Sequence, residues 1–224
     1  MSTKLIGILY GELPGPLREP AALVERLRGA GADAVQLNLD DTDVLAAMRF
    51  GPGDDSGRPV AGFVSVWSSS VTDASAAVAG LGAHVYRVTE HRRLDPPRVP
   101  DGVRADALAN VAILRRPEAM SREEYLDRWL VDHTPVAIRT QATFGYVQNV
   151  VEEALTADAP EIAAIVEELF PMAAITDMHA FYGSGGDQAE LERRMTELMA
   201  SVARFGADTG LDLVPTSRYL WTCD

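Results

Sequence analysis

Cysteine is nearly absent from this sequence, and the patterns that mark several common sites are missing. Cys223 is the only cysteine, which excludes an intramolecular disulfide and a multi-thiolate metal site. The sequence has no His-x-His, no His-Glu-x-x-His, no P-loop lysine and no Gly-x-Ser-x-Gly nucleophile elbow. We therefore expect no metal, no cofactor and no covalent nucleophile.

Basic residues are also scarce. The 224 residues include 20 Lys and Arg against 33 Asp and Glu, a net charge of −13, while 47% are hydrophobic. This composition is too acidic for a typical nucleic-acid-binding protein or for docking on anionic lipid, and too apolar for a disordered chain. No apolar run approaches 18 residues and no export signal follows Met1, so we expect a cytoplasmic protein that makes no use of a membrane.

The first half of the chain predicts four strands and two helices. Short apolar runs bounded by Gly and Pro are typical of strands, and apolar residues three and four apart are typical of helices. The predicted elements are a strand at Leu5–Tyr10, a helix from Pro20 to before Gly29, strands at Ala34–Leu39 and Val60–Trp67, a helix at Thr72–Leu81 and a strand at His84–His91.

The second half repeats this order. A capping box at 121–124 places the start of its first helix. The predicted elements are strands at Ala107–Leu114, Phe144–Val151, Ala173–Phe181 and Arg218–Trp221, long helices at Ser121–Ile138 and Asp187–Phe205, and an extra short helix at Pro160–Leu169.

Two βαββαβ units predict an α+β fold of two ferredoxin-like units in tandem, each with a four-stranded antiparallel sheet and two helices on one face. The uncovered faces of the two sheets pack against each other most economically and close a barrel within one chain. Proline is concentrated between the halves, as in a semi-rigid linker. We predict an N-terminal unit at 1–93, a linker at 94–104 and a C-terminal unit at 105–224.

The second unit resembles the EthD domain family. The resemblance covers about residues 105–222 and is carried by Arg115-Arg116-Pro117, Met120-Ser121-Arg122-Glu123-Glu124, the helical residues Tyr125, Trp129 and His133, the strand 144–149 and the segment 207–213. The first half matches only in the order of its elements. Membership would imply the dimeric α/β-barrel superfamily, whose members include polyketide cyclases, decarboxylases or dehydratases of aromatic compounds, cofactor-free monooxygenases and haem-degrading enzymes.

Tyr125, Trp129 and His133 are four residues apart and form one stripe on the predicted helix. His133 is a candidate general acid/base because imidazole titrates near neutrality and Pro135 places it close to a helix end. Trp129 and Tyr125 would then contact the substrate. The alternative is a packing stripe in which His133 bonds to a backbone carbonyl.

A second candidate wall consists of alternate residues on one strand. Phe144, Tyr146 and Gln148 share a face, and if this face lines the barrel interior, Tyr146 and Gln148 could hydrogen-bond a phenolic or carbonyl substrate. Gln36 and Asn38 are expected to form the matching wall in the first half. The alternative is that these polar groups reach solvent or backbone.

A third candidate is His179, predicted in mid-strand with Asp177 on the same face. A carboxylate there could fix the imidazole tautomer and raise its basicity for proton abstraction. The alternative is an accidental pair on a partly exposed strand.

Two function classes remain open. The first is a cofactor-independent lyase or cyclase that moves a proton on a hydrophobic, aromatic or polyketide-like carbonyl compound, with His133 as general acid/base. The second is a non-catalytic binding protein for a hydrophobic metabolite, and a cofactor-free monooxygenase or haem-degrading enzyme ranks third. Because each unit would cover the other within one chain, we expect a monomer or weak homodimer.

Overall fold

Eight strands form one closed antiparallel barrel in the computed structural model, which describes residues 2–223. The strands are β1 Thr3–Tyr10, β2 Ala32–Leu39, β3 Val60–Ser68, β4 His84–Leu94, β5 Leu108–Leu114, β6 Gly145–Ala154, β7 Ala164–Phe170 and β8 Asp212–Thr222. The helices are α1 Pro20–Gly29, α2 Val71–Ala79, α3 Arg122–Leu126, α4 Thr134–Thr140, α5 Met178–Tyr182 and α6 Gln188–Arg204. Among the described residues, no helix is long and apolar enough to cross a membrane.

The order around the barrel is β1-β3-β2-β8-β5-β7-β6-β4. The first half contributes β4-β1-β3-β2 and the second half β8-β5-β7-β6, so each has the strand order of a ferredoxin-like unit. The halves join where β2 pairs with β8 and β4 pairs with β6. The prediction of tandem ferredoxin-like units in a single-chain dimeric α/β-barrel-type fold is confirmed. The division into units 1–93 and 105–224 stays a prediction.

Alternate strand residues form separate inner and outer cores, as the period of a strand requires. One buried cluster draws only on strands and loops, combines residues of both halves such as Ile6, Phe63 and Ile113, and fills the barrel interior. Two other clusters combine the opposite strand faces with helices, one in each half. The barrel therefore has apolar residues on both faces of its wall.

Two predicted elements of the second half are wrong. The segment predicted as a helix at Pro160–Leu169 contains strand β7, and the predicted strand Ala173–Phe181 is a 3-10 turn, Met172–Ile175, followed by α5. Strand β7 is buried on both faces and lacks the alternation that identifies a half-buried strand. Helix α5 begins where the Asp177 carboxylate accepts a hydrogen bond of 2.8 Å from the His179 backbone N–H.

A π-helical stretch, Asp127–His133, separates α3 from α4. Pro135 has no N–H to continue the α-helical pattern, and the Thr134 hydroxyl donates instead to the Leu130 carbonyl, at 2.9 Å. The stretch carries both Trp129 and His133. Such stretches occur often at functional sites because they turn side chains away from the regular helical positions.

Candidate functional site

A cavity of about 400 Å3 lies between the outer face of the second-half sheet and the helices that cover it. The strands contribute Ala112, Leu114, Tyr146, Val166 and Glu168, the helices contribute residues such as Trp129, His133, Phe181, Leu198 and Val202, and a loop of the first half contributes Met48 and Phe50. Most of this surface is apolar. Its few polar groups converge on one space, as in a site for a hydrophobic ligand.

The cavity is outside the barrel, and the prediction that Tyr146 and Gln148 face the barrel interior is wrong. Tyr146 packs in the core shared with the helices, whereas Val151, five residues further along β6, belongs to the interior core. The prediction that alternate residues of this strand point to opposite sides is correct, but the side that carries Tyr146 is the outer one. Both faces of β6 are buried over 145–151, so burial alone does not distinguish them.

Two acidic residues line the cavity, Glu168 and the exposed Asp208, and neither was among the predicted site residues. Glu168 lies on β7 directly opposite Tyr146 of β6, where directly paired side chains on one sheet face approach closely. Burial raises the pKa of Glu168 to about 7. Within residues 2–223 its carboxylate has no side-chain hydrogen bond or ion pair, so desolvation is not offset by a cation.

A signal for Glu168 is present in the sequence. Glu167 and Glu168 interrupt the apolar run of β7, and two adjacent acids in a strand must point to opposite faces. Glu167 points into the barrel, where it accepts a hydrogen bond from Asn38, at 2.7 Å, and pairs with Arg218. Glu168 therefore points toward the helices. Because the segment Pro160–Leu169 was predicted as a helix, the opposite orientations of Glu167 and Glu168 in a strand were not considered.

His133 lines the cavity from the π-helical stretch. Its Nδ1 lies 2.9 Å from the Ser201 hydroxyl of α6, and its ring packs against Phe205 with centroids 4.8 Å apart. Burial lowers the pKa of His133 to about 4, so the imidazole is neutral at neutral pH. A neutral imidazole offers one donor and one acceptor, and Ser201 occupies only Nδ1.

Tyr146 supplies a phenol that stays protonated. Its side chain is fully buried, and burial raises the pKa of Tyr146 well above its ordinary value, with the neighbouring Glu168 adding to the shift. Glu168 also raises the pKa of Tyr182, although burial is the larger cause. Tyr146, Glu168 and Tyr182 thus form one polar group within an apolar wall.

Three further predicted site residues lie beside the cavity rather than in its lining. Tyr125 packs edge-on against Phe205, behind Trp129. The Gln148 side-chain oxygen accepts a hydrogen bond of 2.8 Å from the Arg93 guanidinium. Phe144 precedes β6 and is partly exposed.

Gln36 and Asn38 do face the barrel interior, but they form no wall with Tyr146 and Gln148, which lie on the outer side of the sheet. Gln36 and Asn38 instead form a hydrogen-bonded network with Glu167, Thr216 and Arg218. The faces are reversed between the halves: Gln36 and Asn38 point inward from β2, whereas Tyr146 points outward from β6. The order of strands and helices does not determine which side of the sheet the polar residues of each strand face.

His179 and Asp177 also lie outside the lining, and the predicted strand pair is wrong. The His179 Nδ1 lies 2.7 Å from the Ser184 hydroxyl, while Asp177 caps the first turn of α5. Helix α5 instead presents Met178, Phe181 and Tyr182 to the cavity. In the predicted strand, His179 and Asp177 would share a face, whereas in the observed helix the residues that share a face are three and four positions apart.

The loop between β2 and β3 brings the first half into the site. Phe50 exchanges two backbone hydrogen bonds with Leu213 of β8, and the Gly53 N–H donates to Asp212, at 2.9 Å. Asp212 is itself held by Arg115, at 2.8 Å. These contacts hold the Met48 and Phe50 side chains, both about half exposed, at the edge of the cavity.

The chain is similar to solved structures across nearly its whole length. An anthrone oxidase-like protein superposes with a TM-score of 0.57 at 8% identity, covering 99% of this chain and 93% of that one. A "putative monooxygenase" from Lactobacillus acidophilus NCFM superposes with a TM-score of 0.47 at 9% identity, covering 99% and 96%. No family model and no curated protein matches the sequence. The first of these similarities supports the tandem barrel fold.

Proposed function

We propose that the cavity binds a hydrophobic aromatic or polyketide-like carbonyl compound and that Glu168 moves a proton on it. The observation that carries this proposal is an unpaired carboxyl group with a pKa of about 7 in an apolar cavity. A base that titrates near the working pH combines a large ionised fraction with useful basicity. His133 has a pKa of about 4, so the proton carrier is Glu168 instead.

The neighbouring groups have distinct roles in this reaction. The Glu168 carboxylate removes a proton from a carbon that is made acidic by conjugation with the substrate carbonyl, and negative charge develops on the carbonyl oxygen. The Tyr146 phenol donates a hydrogen bond to that oxygen. When the Ser201 hydroxyl donates to Nδ1 of His133, the proton of the imidazole is on Nε2, which acts as a second donor.

The resulting enolate can cyclise, lose water or complete a decarboxylation, so a lyase or cyclase activity of the EthD type fits the site. The residues that carry the EthD resemblance include Trp129 and His133, which both line the cavity. An oxygen-dependent reaction is the second candidate, because an enolate can also reduce O2. The description of one similar structure as anthrone oxidase-like supports it.

Proton abstraction can be tested before the natural substrate is known. Anthrone is a tricyclic aromatic ketone with an acidic methylene group, and exchange of that group in D2O, followed by NMR, reports deprotonation alone. We expect Glu168→Gln to slow the enzyme-dependent exchange by about 10²- to 10⁴-fold and to keep anthrone binding, measured by tryptophan fluorescence. In the wild type the exchange rate should rise with pH and level off above about 7.

The exposed Glu161 provides the matched control, and Glu161→Gln should leave exchange unchanged. Anthrone binding without accelerated exchange in the wild type would contradict the proposal and favour a binding protein. Equal exchange in the wild type and Glu168→Gln would assign the base elsewhere.

We also propose that the protein is a monomer or weak homodimer. The barrel closes within one chain, and residues of that chain form the cavity walls. Sedimentation at several concentrations should give the mass of the monomer at low concentration, with any dimer appearing only as the concentration rises. A dimer that persists on dilution would contradict this proposal.

A further inference from the structure

Lys4 is the only lysine in the sequence, which has 20 Lys and Arg in total. A lone lysine is expected at the surface, where its ammonium group is hydrated. Lys4 is instead buried on β1, and it lines an open cavity of about 550 Å3 that is separate from the site proposed above. Trp67 and Glu90 line the same cavity.

The Lys4 ammonium group has two contacts. Its Nζ lies 2.6 Å from Oε1 of Glu90 and 4.6 Å from the centroid of the Trp67 ring. Burial lowers the pKa of Lys4, and nearby Arg92 acts in the same direction, whereas the charges of Glu90 and Glu167 partly oppose the change. A desolvated amine beside a carboxylate is an arrangement that enzymes use to activate lysine as a nucleophile.

An ion pair alone does not require lysine at this position. Arginine forms more hydrogen bonds to a carboxylate and stacks better on an aromatic ring, and this chain uses arginine at every other basic position. The property that only lysine provides is a primary amine that reacts with a carbonyl group. The other side chains of the cavity are mainly polar, such as Thr3 and Thr89, and suit a small hydrophilic compound.

We propose that Lys4 is a carbonyl-reactive residue that forms an imine with a small polar aldehyde in this cavity. This reaction is independent of the function proposed for Glu168.

The reaction needs no oxidant or reductant. The Lys4 ammonium group gives one proton to Glu90, and the free amine attacks the aldehyde carbon, so that a C–N bond forms and the carbonyl electron pair moves to oxygen. That oxygen takes a proton from Glu90 and the second from the nitrogen, and it leaves as water. The product is the iminium ion, because the nitrogen keeps the third proton of the ammonium group, and loss of that proton to solvent gives the neutral imine.

Glyoxylate with cyanoborohydride tests the proposal, because the hydride reduces the iminium ion to a stable carboxymethyl amine. We expect one carboxymethyl group on Lys4 of the native wild type at neutral pH, located by peptide fragmentation. Its formation should be severalfold faster than in the same chain unfolded in guanidinium chloride. Lys4→Arg retains the positive charge and should lose this modification completely.

Two further measurements separate a reactive site from a purely structural ion pair. The α-amine also reacts with glyoxylate, and Lys4→Arg measures that background. The negative charge of Glu90 raises the pKa of Lys4. Glu90→Gln removes this charge and should lower the pKa of Lys4, so the pH profile of the modification should move to lower pH. Native Lys4 that reacts no faster than in the unfolded chain, or an unmoved profile, would overturn the proposal.

Discussion

The two halves of the barrel have the same strand order but differ in how their helices meet the sheet. In the first half α2 lies directly on β1 at Gly7, where a Cβ atom would be 2.4 Å from the Val78 Cγ1 and 3.0 Å from the Ala83 Cβ. Helix α2 has nine residues, and four of them are alanine. Small residues on both sides allow this close approach and leave the interface filled.

In the second half the covering helix is longer and carries larger side chains. Helix α6 has 17 residues, and Met195, Leu198, Met199 and Val202 of this helix line the cavity. Opposite them the strands present the small Ala112 alongside Glu168. The large side chains of α6 keep this helix at a distance from the sheet, and the small Ala112 on the sheet leaves space between them. A cavity therefore forms in the second half, whereas in the first half α2 contacts β1 closely at Gly7. Strand order determines the barrel, and side-chain volume on its outer face determines the site.

The largest expected effect is the decrease in the free energy of unfolding that follows from ionising Glu168 in the second-half cavity. The pKa of Glu168 rises from 4.5 to about 7 on folding, so the group is protonated in both states below 4.5 and must ionise in an apolar site above 7. The contribution of Glu168 to the free energy of unfolding, taken as the difference between the wild type and Glu168→Gln, should therefore fall by about 3 kcal/mol between these pH values. Urea denaturation at several pH values measures it.

Glu168→Gln has no carboxyl group to ionise and should lack this loss, whereas Glu161→Gln should retain it. If the stability difference between the wild type and Glu168→Gln is the same at pH 4 and pH 8, the carboxylate is solvated and the comparison between the halves fails.

A similar enlargement in each half tests the difference in packing. Gly7→Val places atoms where α2 already lies and should reduce the free energy of unfolding by about 1–3 kcal/mol. Ala112→Val extends into the cavity and should cost less than about 1 kcal/mol. Chemical denaturation compares the two variants. Equal costs would mean that the second half is as tightly packed as the first.

The smallest expected effect is on ligand binding and concerns Phe50, a residue of the first half that lines the cavity of the second half. Phe50→Ala removes an apolar side chain at the cavity edge but keeps both backbone hydrogen bonds to Leu213. We expect about fivefold weaker anthrone binding, equivalent to about 1 kcal/mol of lost apolar contact. Unfolding free energy should change by no more than about 0.5 kcal/mol. Leu45→Ala, on the same loop but outside the lining, should bind normally, and equal weakening in both variants would contradict a specific role of Phe50.

The sequence predicted the elements best where local signals were strong. One half of the capping box at 121–124 is confirmed: the Ser121 oxygen accepts a hydrogen bond of 3.1 Å from the Glu124 N–H, whereas the Glu124 carboxylate accepts a hydrogen bond from Arg128. The π-helical stretch after α3 carries Trp129 and His133 to the cavity, whereas Tyr125, the third residue of the predicted stripe, lies outside the lining. Strand β7 was missed because both of its faces are buried. The placement of His179 on a strand was wrong for the related reason that the short capped helix α5 carries too few residues to show a helical period.

The sequence by itself indicated two βαββαβ units and a closed barrel, because local hydrophobic periodicity and turn residues identify seven of the eight strands, although it placed the third strand of the second unit at Ala173–Phe181 instead of at β7. Only the tertiary structure decided which face of each buried strand points inward. That choice put Gln36 and Asn38 inside the barrel and Tyr146 and Glu168 in the cavity. The physical reason is that a strand buried on both faces gains similar apolar burial in either orientation, so its direction is set by the partners that meet its polar residues across the barrel.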